Sequence, residues 1–154
     1  MGQIEKTALI KAPLERVWTL LEDVENYSSY FTFINDVKVT YHPKGERVCN
    51  CEGVKGIPVF EVAGRRMELE MLDVEYIHHK KSVRRSTSGM YFESIFVTDT
   101  TDEGVNLQWS VSYKLPYGIL GTIMDKASFG KEMDTHMVRS IDNIKNALEQ
   151  KLGN

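Results

Sequence analysis

With 154 residues and 42% apolar side chains, the chain is the size of one ordinary domain and has enough apolar material for a real core. Its net charge of −3, with no basic run longer than Lys80-Lys81 or Arg84-Arg85, offers no electrostatic footprint for nucleic acid. No stretch approaches the about eighteen consecutive apolar residues of a membrane span, and Met1-Gly2-Gln3-Ile4 starts no secretory leader, so a soluble, cytoplasmic protein without stable membrane insertion is expected.

A myristoylation reading of Gly2 fails because Lys6 stands where that motif wants Ser or Thr. Gln3 to Lys11 alternates weakly and predicts a first strand, ended by Ala12-Pro13. Proline suits the first helical position and Glu15 suits the positive end of the helix dipole. Val17, Trp18, Leu20, Leu21 and Val24 then give a short helix an apolar face, and Glu25 to Tyr30 forms a second short helix or turn.

From Ile34 the pattern changes to strands. Val37, Val39 and Tyr41 share one side, His42-Pro43-Lys44-Gly45 is a turn, and Arg47 to Val54 is the next strand. Cys49 and Cys51 lie at period two on one face of it and read as buried thiols. Gly53, Gly56 and Pro58 break the next stretch. Arg65 to Ile77 resumes as a strand with Met67, Leu69 and Met71 against Glu68 and Glu70, and a parity shift to Leu72, Val74 and Tyr76 predicts a bulge or a sharp bend near Met71. Two more strands fit Ser82 to Ser88 and Met90 to Thr98, and Thr101 to Gly104 is a turn.

The clearest signal comes last. Val105, Leu107, Trp109, Val111, Tyr113 and Leu115 alternate with polar residues, as in a half-buried antiparallel strand. After Pro116-Tyr117-Gly118, a helical pattern runs from about Ile119 to about Leu152, about 50 Å if unbroken. Its apolar stripe is Ile123, Met133, Met137, Ile141, Ile144 and Leu148. The order of one strand, two short helices, about six strands and a closing helix predicts a single α+β domain whose sheet curves around that helix.

Lys11-Ala12-Pro13, Val17-Trp18, Asp23-Val24-Glu25-Asn26-Tyr27 and Leu115-Pro116-Tyr117-Gly118-Ile119-Leu120-Gly121 resemble the START-like (SRPBCC) superfamily. That superfamily includes polyketide cyclases, coenzyme Q-binding proteins and birch-pollen-allergen type proteins. The resemblance implies a helix-grip fold, a curved seven-stranded antiparallel sheet wrapped around the last helix, with a deep apolar cavity between them. It also implies a hydrophobic ligand such as a lipid, sterol, quinone, plant hormone or polyketide chain.

The residues agree on which surface lines such a cavity. Met67, Met71, Met133 and Met137 are adaptable side chains on faces expected to meet between sheet and helix. Phe31, Phe33 and Ile34 fall where the resemblance places a rim of the mouth, and Trp109 and Tyr113 face inward from the last strand. Val39, Tyr41, Leu69, Ile95 and Ile123 complete the expected ligand surface, and Lys126 is a candidate anchor for a ligand carboxylate or phenolate. Gly130 on the inner stripe either lets a ligand approach the helix backbone or marks a kink.

No metal site is expected, because His42, His78, His79 and His136 show no ligand spacing. Neither a nucleophile elbow nor a phosphate-binding glycine loop is present, and no cofactor is expected. Asp73 and Glu61 are the acids that apolar strand segments could enclose. The resemblance implies an inward arginine and tyrosine in the cyclases. Arg65 and Arg66 read as solvated near a turn, and Arg84 or Arg85 remains for that role.

Three functional readings are open. The first is a binding module for a lipid, isoprenoid quinone or polyketide-like molecule, marked by an inner surface almost free of ionisable groups. The second is a cyclase or dehydratase, which needs at least two inward ionisable residues converging on one point. The third is transient docking to a membrane or protein through exposed Tyr27, Tyr30 and Tyr117.

Overall fold

A computed structural model describes residues 1–41, 53–62, 64–115 and 126–150. Strand β1 (Gly2–Ile10) leads into helix α1 (Leu14–Glu22) and a 3-10 helix (Val24–Ser29). Seven strands come next: β2 (Ile34–Tyr41), β3 (Lys55–Val62), β4 (Arg65–Glu68), β5 (Met71–Ile77), β6 (Lys81–Ser86), β7 (Tyr91–Thr101) and β8 (Gly104–Lys114). Helix α2 (Lys126–Gln150) closes the chain.

The strands form one antiparallel sheet in the order β1-β8-β7-β6-β5-β3-β2, with the short β4 beside β3. This is the expected helix-grip α+β architecture, a curled sheet of seven strands in sequence of pairing with a C-terminal helix. Helix α2 packs on β1, at one end of that order, and on β3, near the other.

The alternation of β8 is realised from Val105 to Tyr113, while Leu115 lies past the end of the strand and is half-buried. Val105, Leu107, Trp109, Val111 and Tyr113 are all buried. On α2, Met133, Met137, Ile141, Ile144 and Leu148 are buried in one stripe, joined by Phe129 one turn earlier. Each such side chain, fully buried, contributes roughly 1.5–3 kcal/mol through the hydrophobic effect. Ile123 and the helical pattern before residue 126 and after residue 150 lie outside the described residues.

Pro13 stands at the cap of α1 in extended backbone (φ −63, ψ 146) instead of inside the first turn, and its carbonyl accepts from Arg16 and Val17. Trp18, fully buried on α1, donates its indole N–H to Thr98 Oγ1 on β7 at 2.9 Å. One hydrogen bond thereby ties the first helix to the sheet.

Between β2 and β5 the strand assignments need correction. Gly56 and Pro58 do not break the chain; both lie inside β3. That strand pairs β5 through Lys55 and Gly56 and β4 through Val59 to Val62. Pro58 sits at the changeover between partners, where a residue without an N–H disturbs the ladder least. The expected strand Arg65 to Ile77 divides into β4 and β5 around Leu69-Glu70. The interruption directly before Met71 is the irregularity expected there, and a bulge follows between Asp73 and Glu75, so Asp73 keeps the inward direction of Met71. The predicted turn at His42 to Gly45 and the cysteines Cys49 and Cys51 lie outside the described residues.

Tyr113 accounts for two glycines at once. Its ring occupies the space a side chain at Gly2 would need, and a Cβ at Gly130 would lie 2.8 Å from the Tyr113 hydroxyl. Gly130 thus admits a side chain of the chain's own sheet against α2.

Candidate functional site

A cavity of about 70 Å³ opens under the segment that joins α1 to β2. Val24, Tyr27, Phe31, Phe33 and Ile34 supply that side of it. The opposite wall is the inner face of the sheet, where alternation delivers Val37 and Val39 from β2, Gly56, Pro58 and Phe60 from β3, and Phe92, Ser94 and Phe96 from β7. Met71 and Asp73 of β5, Arg84 of β6 and Trp109 of β8 complete it. Its aromatic side is tightly assembled: Phe33 stacks on Phe60 at 5.5 Å and on Trp109 at 6.1 Å, and Phe31 meets Trp109 edge-on at 5.3 Å.

Into this apolar wall the sheet register inserts one polar row. Asp73 on β5 pairs with Arg84 on β6, and Arg84 pairs with Ser94 on β7. Arg84 Nε donates to Asp73 Oδ1 at 2.7 Å. Its Nη1 donates to the Tyr27 hydroxyl and its Nη2 to the Leu21 carbonyl at 3.3 Å. The Tyr27 hydroxyl in turn donates to the Leu21 carbonyl. Trp109 Nε1 donates to Ser94 Oγ at 3.0 Å.

Asp73 and Arg84 are 7% and 8% exposed, so the pair is removed from water and its charges depend on each other. Burial opposes the charge of Arg84, yet Tyr27 and Asp73 outweigh it and hold the guanidinium ionised beyond the ordinary arginine value. Burial raises the Tyr27 phenol and exceeds the opposing pull of Arg84, so the hydroxyl stays protonated at neutral pH. The site therefore holds an anion, a cation and a neutral phenol around one point. Such a group can orient a polar ligand atom or pass a proton to it.

Of the expected ligand surface, Phe31, Phe33, Ile34, Val39, Met71 and Trp109 are on the cavity wall. The other described candidates are elsewhere. Ile95 alternates onto the opposite face of β7 from Ser94 and Phe96. Met67 is part of β4, off the main strand path, and Leu69 sits in the break after it. Tyr113 packs against Phe129 and the two glycines. Met133 and Met137 are fully buried in the core of α2, and no described residue of α2 reaches the cavity. Ile123 and the side chains of Tyr41 and Lys126 lie outside the described residues.

Two further expectations change. Glu61 is exposed and accepts from Asn35 at 2.8 Å, away from the cavity. Tyr27 is 6% exposed and is a cavity residue, not a docking tyrosine; Tyr30 is half-buried, and Tyr117 lies outside the described residues. Nor is the inner surface almost free of ionisable groups, since Asp73 and Arg84 both belong to it.

The segment over the cavity is fastened to α2 by a polar stripe. Ser140 Oγ accepts from the Thr32 amide at 3.1 Å, and Asn143 Nδ2 donates to the Tyr30 carbonyl at 3.1 Å. Thr32 Oγ1 meets His136 Nδ1 at 2.7 Å. His136, Ser140 and Asn143 stand at i, i+4 and i+7, the spacing of one helix face. Burial lowers the pKa of His136 from 6.5, with Glu132 opposing and Arg139 assisting, so the ring is neutral at neutral pH.

Among the described residues, no group of three or more His, Cys, Asp or Glu side chains is placed to hold a metal ion, and no helix is long and apolar enough to cross a membrane.

The model of the family described as "Polyketide cyclase / dehydrase and lipid transport" matches residues 1–149. Among solved structures the chain is similar to TTHA0849 from Thermus thermophilus, with 18% identity, a TM-score of 0.78 and coverage of 97% of this chain and 99% of that one. It is also similar to the Zhui aromatase/cyclase from Streptomyces sp. R1128, with 14% identity, a TM-score of 0.75 and coverage of 98% and 95%. A START superfamily protein from Mycobacterium smegmatis has 14% identity, a TM-score of 0.73 and coverage of 96% and 97%. At these identities the likeness carries the fold alone. None of the curated proteins matches the chain.

Proposed function

The chain belongs to the polyketide cyclase / dehydrase and lipid transport family, and on that premise we propose that it binds one hydrophobic small molecule, a lipid, isoprenoid quinone or polyketide-like compound, in the cavity under Phe31 and Phe33. The observation that carries this reading is a cavity wall of aromatic and aliphatic side chains into which one buried, hydrogen-bonded polar cluster is set, Tyr27, Asp73 and Arg84. Apolar area supplies affinity in such a site, and a few placed polar groups set orientation.

Arg84 is the proposed anchor. Lys126, whose side chain lies outside the described residues, is not needed for it. The cavity of about 70 Å³ exceeds what a single water needs, yet ligand sites usually span about 300–1,000 Å³. A chain-like ligand therefore requires the wall to yield. The yielding element is the segment Tyr30 to Phe33, held to α2 by side-chain hydrogen bonds that can break without disturbing the sheet.

A second reading has a specific observation behind it. Tyr27, Asp73 and Arg84 meet at one point on the cavity wall, which is what a cyclase or dehydratase acting on a polyketide-like substrate would require. In that reading Arg84 would hold a substrate oxygen as charge develops on it, with Tyr27 as the proton-bearing partner.

Native mass spectrometry of the purified protein, followed by organic extraction, tests the first reading. One co-purifying hydrophobic molecule per chain, absent from a variant with the cavity filled, supports it. Identical masses for both proteins, together with no uptake of added lipid, quinone or ketone, would overturn it.

A further inference from the structure

The polar row has a direction. Arg84 has five N–H donors, and three of them meet acceptors among the described residues: Asp73, Tyr27 and the Leu21 carbonyl. The single Tyr27 proton is already given to the Leu21 carbonyl. Ser94 Oγ accepts from the Trp109 indole, which leaves its own O–H to donate. Ser94 is the cross-strand neighbour of Arg84 and lines the same cavity. What this corner has left to give a ligand is therefore Arg84 N–H on one strand and the Ser94 O–H on its neighbour.

The charge of the corner is already balanced. Asp73 neutralises Arg84 at 2.7 Å, with both groups buried. A ligand carboxylate would leave the enclosed site with a net negative charge and no further cation, because the described wall of the cavity carries no other basic side chain. A carbonyl oxygen accepts the same hydrogen bonds and adds no charge.

We propose that Arg84 and Ser94 form a donor pair for an uncharged carbonyl oxygen, and that the site selects ketone- or quinone-bearing hydrophobic molecules over carboxylates with the same tail. This rests on the cavity being the ligand site. In this arrangement the Trp109 indole orients the Ser94 hydroxyl, and Asp73 is the element that refuses an anion.

The test compares methyl nonyl ketone with decanoate, which share a nonyl tail, at neutral pH, reading binding from the indole N–H resonance of Trp109. The wild-type protein is expected to bind the ketone at least about tenfold more tightly. Ser94→Ala should weaken ketone binding about tenfold, and Ser94→Thr, which keeps the hydroxyl, should restore most of it. Asp73→Asn should shift the preference toward decanoate, since Arg84 is then uncompensated. Should Asp73→Asn fail to fold, the wild-type preference and the Ser94 pair still decide. Decanoate bound as tightly as the ketone, or ketone binding indifferent to Ser94, overturns the donor-pair proposal and leaves the cavity reading standing. Absence of binding by either compound overturns both.

Discussion

Arg84 and Asp73 face each other in register across β6 and β5, joined by an Nε to Oδ1 hydrogen bond of 2.7 Å, on a wall whose other side chains, apart from Ser94, are aromatic or aliphatic. A buried pair of this kind adds little net stability compared with an apolar replacement, but either member alone is costly. The pair therefore shapes the site more than it holds the fold.

Removing one member should show this. Asp73→Ala leaves a buried guanidinium without its carboxylate and is expected to cost about 3–5 kcal/mol in urea unfolding. Asp73→Leu combined with Arg84→Met should recover most of that loss. A single substitution that costs less than about 1 kcal/mol would mean that the two residues are not energetically coupled.

Tyr113 decides the sign of a helix substitution. Alanine at an interior helical glycine normally stabilises by about 1 kcal/mol. Gly130→Ala should instead destabilise, because its Cβ would lie 2.8 Å from the Tyr113 hydroxyl. In a Tyr113→Phe background the same change should stabilise. Thermal unfolding of the four proteins reads the reversal directly.

The partial burial of His136 makes stability depend on pH. The native pKa of His136 lies below the 6.5 of the free side chain, mainly through burial, with Glu132 opposing and Arg139 assisting on α2; Glu61 faces it across the adjoining groove. The unfolded chain then binds more protons as pH falls below about 6.5, so stability should decline from there toward the lowered native pKa. His136→Gln should abolish this slope between about pH 6.5 and pH 5, above the range where carboxylates titrate. Urea midpoints measured across that window check it.

Filling the cavity should separate binding from folding. Gly56 lies on the wall, and a Cβ there meets only ordinary contacts, the Lys38 carbonyl oxygen at 3.5 Å and Val37 Cγ1 at 3.6 Å. Gly56→Leu is expected to abolish ligand uptake with the fold kept. Met137→Trp, at a fully buried position away from the cavity, should overpack the core and cost about 1–3 kcal/mol. Circular dichroism and ligand titration of both variants distinguish the two effects.

The sequence carried the elements whose apolar periodicity is unambiguous. The alternation from Val105 to Tyr113 and the stripe from Met133 to Leu148 identified β8 and α2, and the N-terminal residues pointed to the helix-grip arrangement. The cavity was harder to read, because it depends on which inward residues lie under the Val24 to Ile34 segment and which lie under α2. That distinction put Met133 and Met137 in the core and left Phe60, Phe92 and Phe96 unnoticed. Arg84 was hidden for a different reason. The one apolar residue of β6 is Val83, on the opposite parity, so periodicity pointed the wrong face inward. Asp73 was obscured because the strand is irregular on both sides of it, interrupted before Met71 and bulged between Asp73 and Glu75. Tyr27 looked like an exposed loop aromatic because the cation it meets, Arg84 of β6, is 57 residues away in the chain.

The chain has two tryptophans, and only Trp109 lines the cavity, whereas Trp18 is committed to Thr98 between α1 and β7. The most direct measurement is a nitrogen-15 correlation spectrum of the two indole N–H groups during titration with a medium-chain ketone, a short-chain quinone and a fatty acid. The account predicts a saturable one-to-one shift of the Trp109 signal with at least one of them, lost in Gly56→Leu, while the Trp18 signal moves little. Equal shifts of both signals, or a Trp109 response that survives filling the cavity, would contradict it.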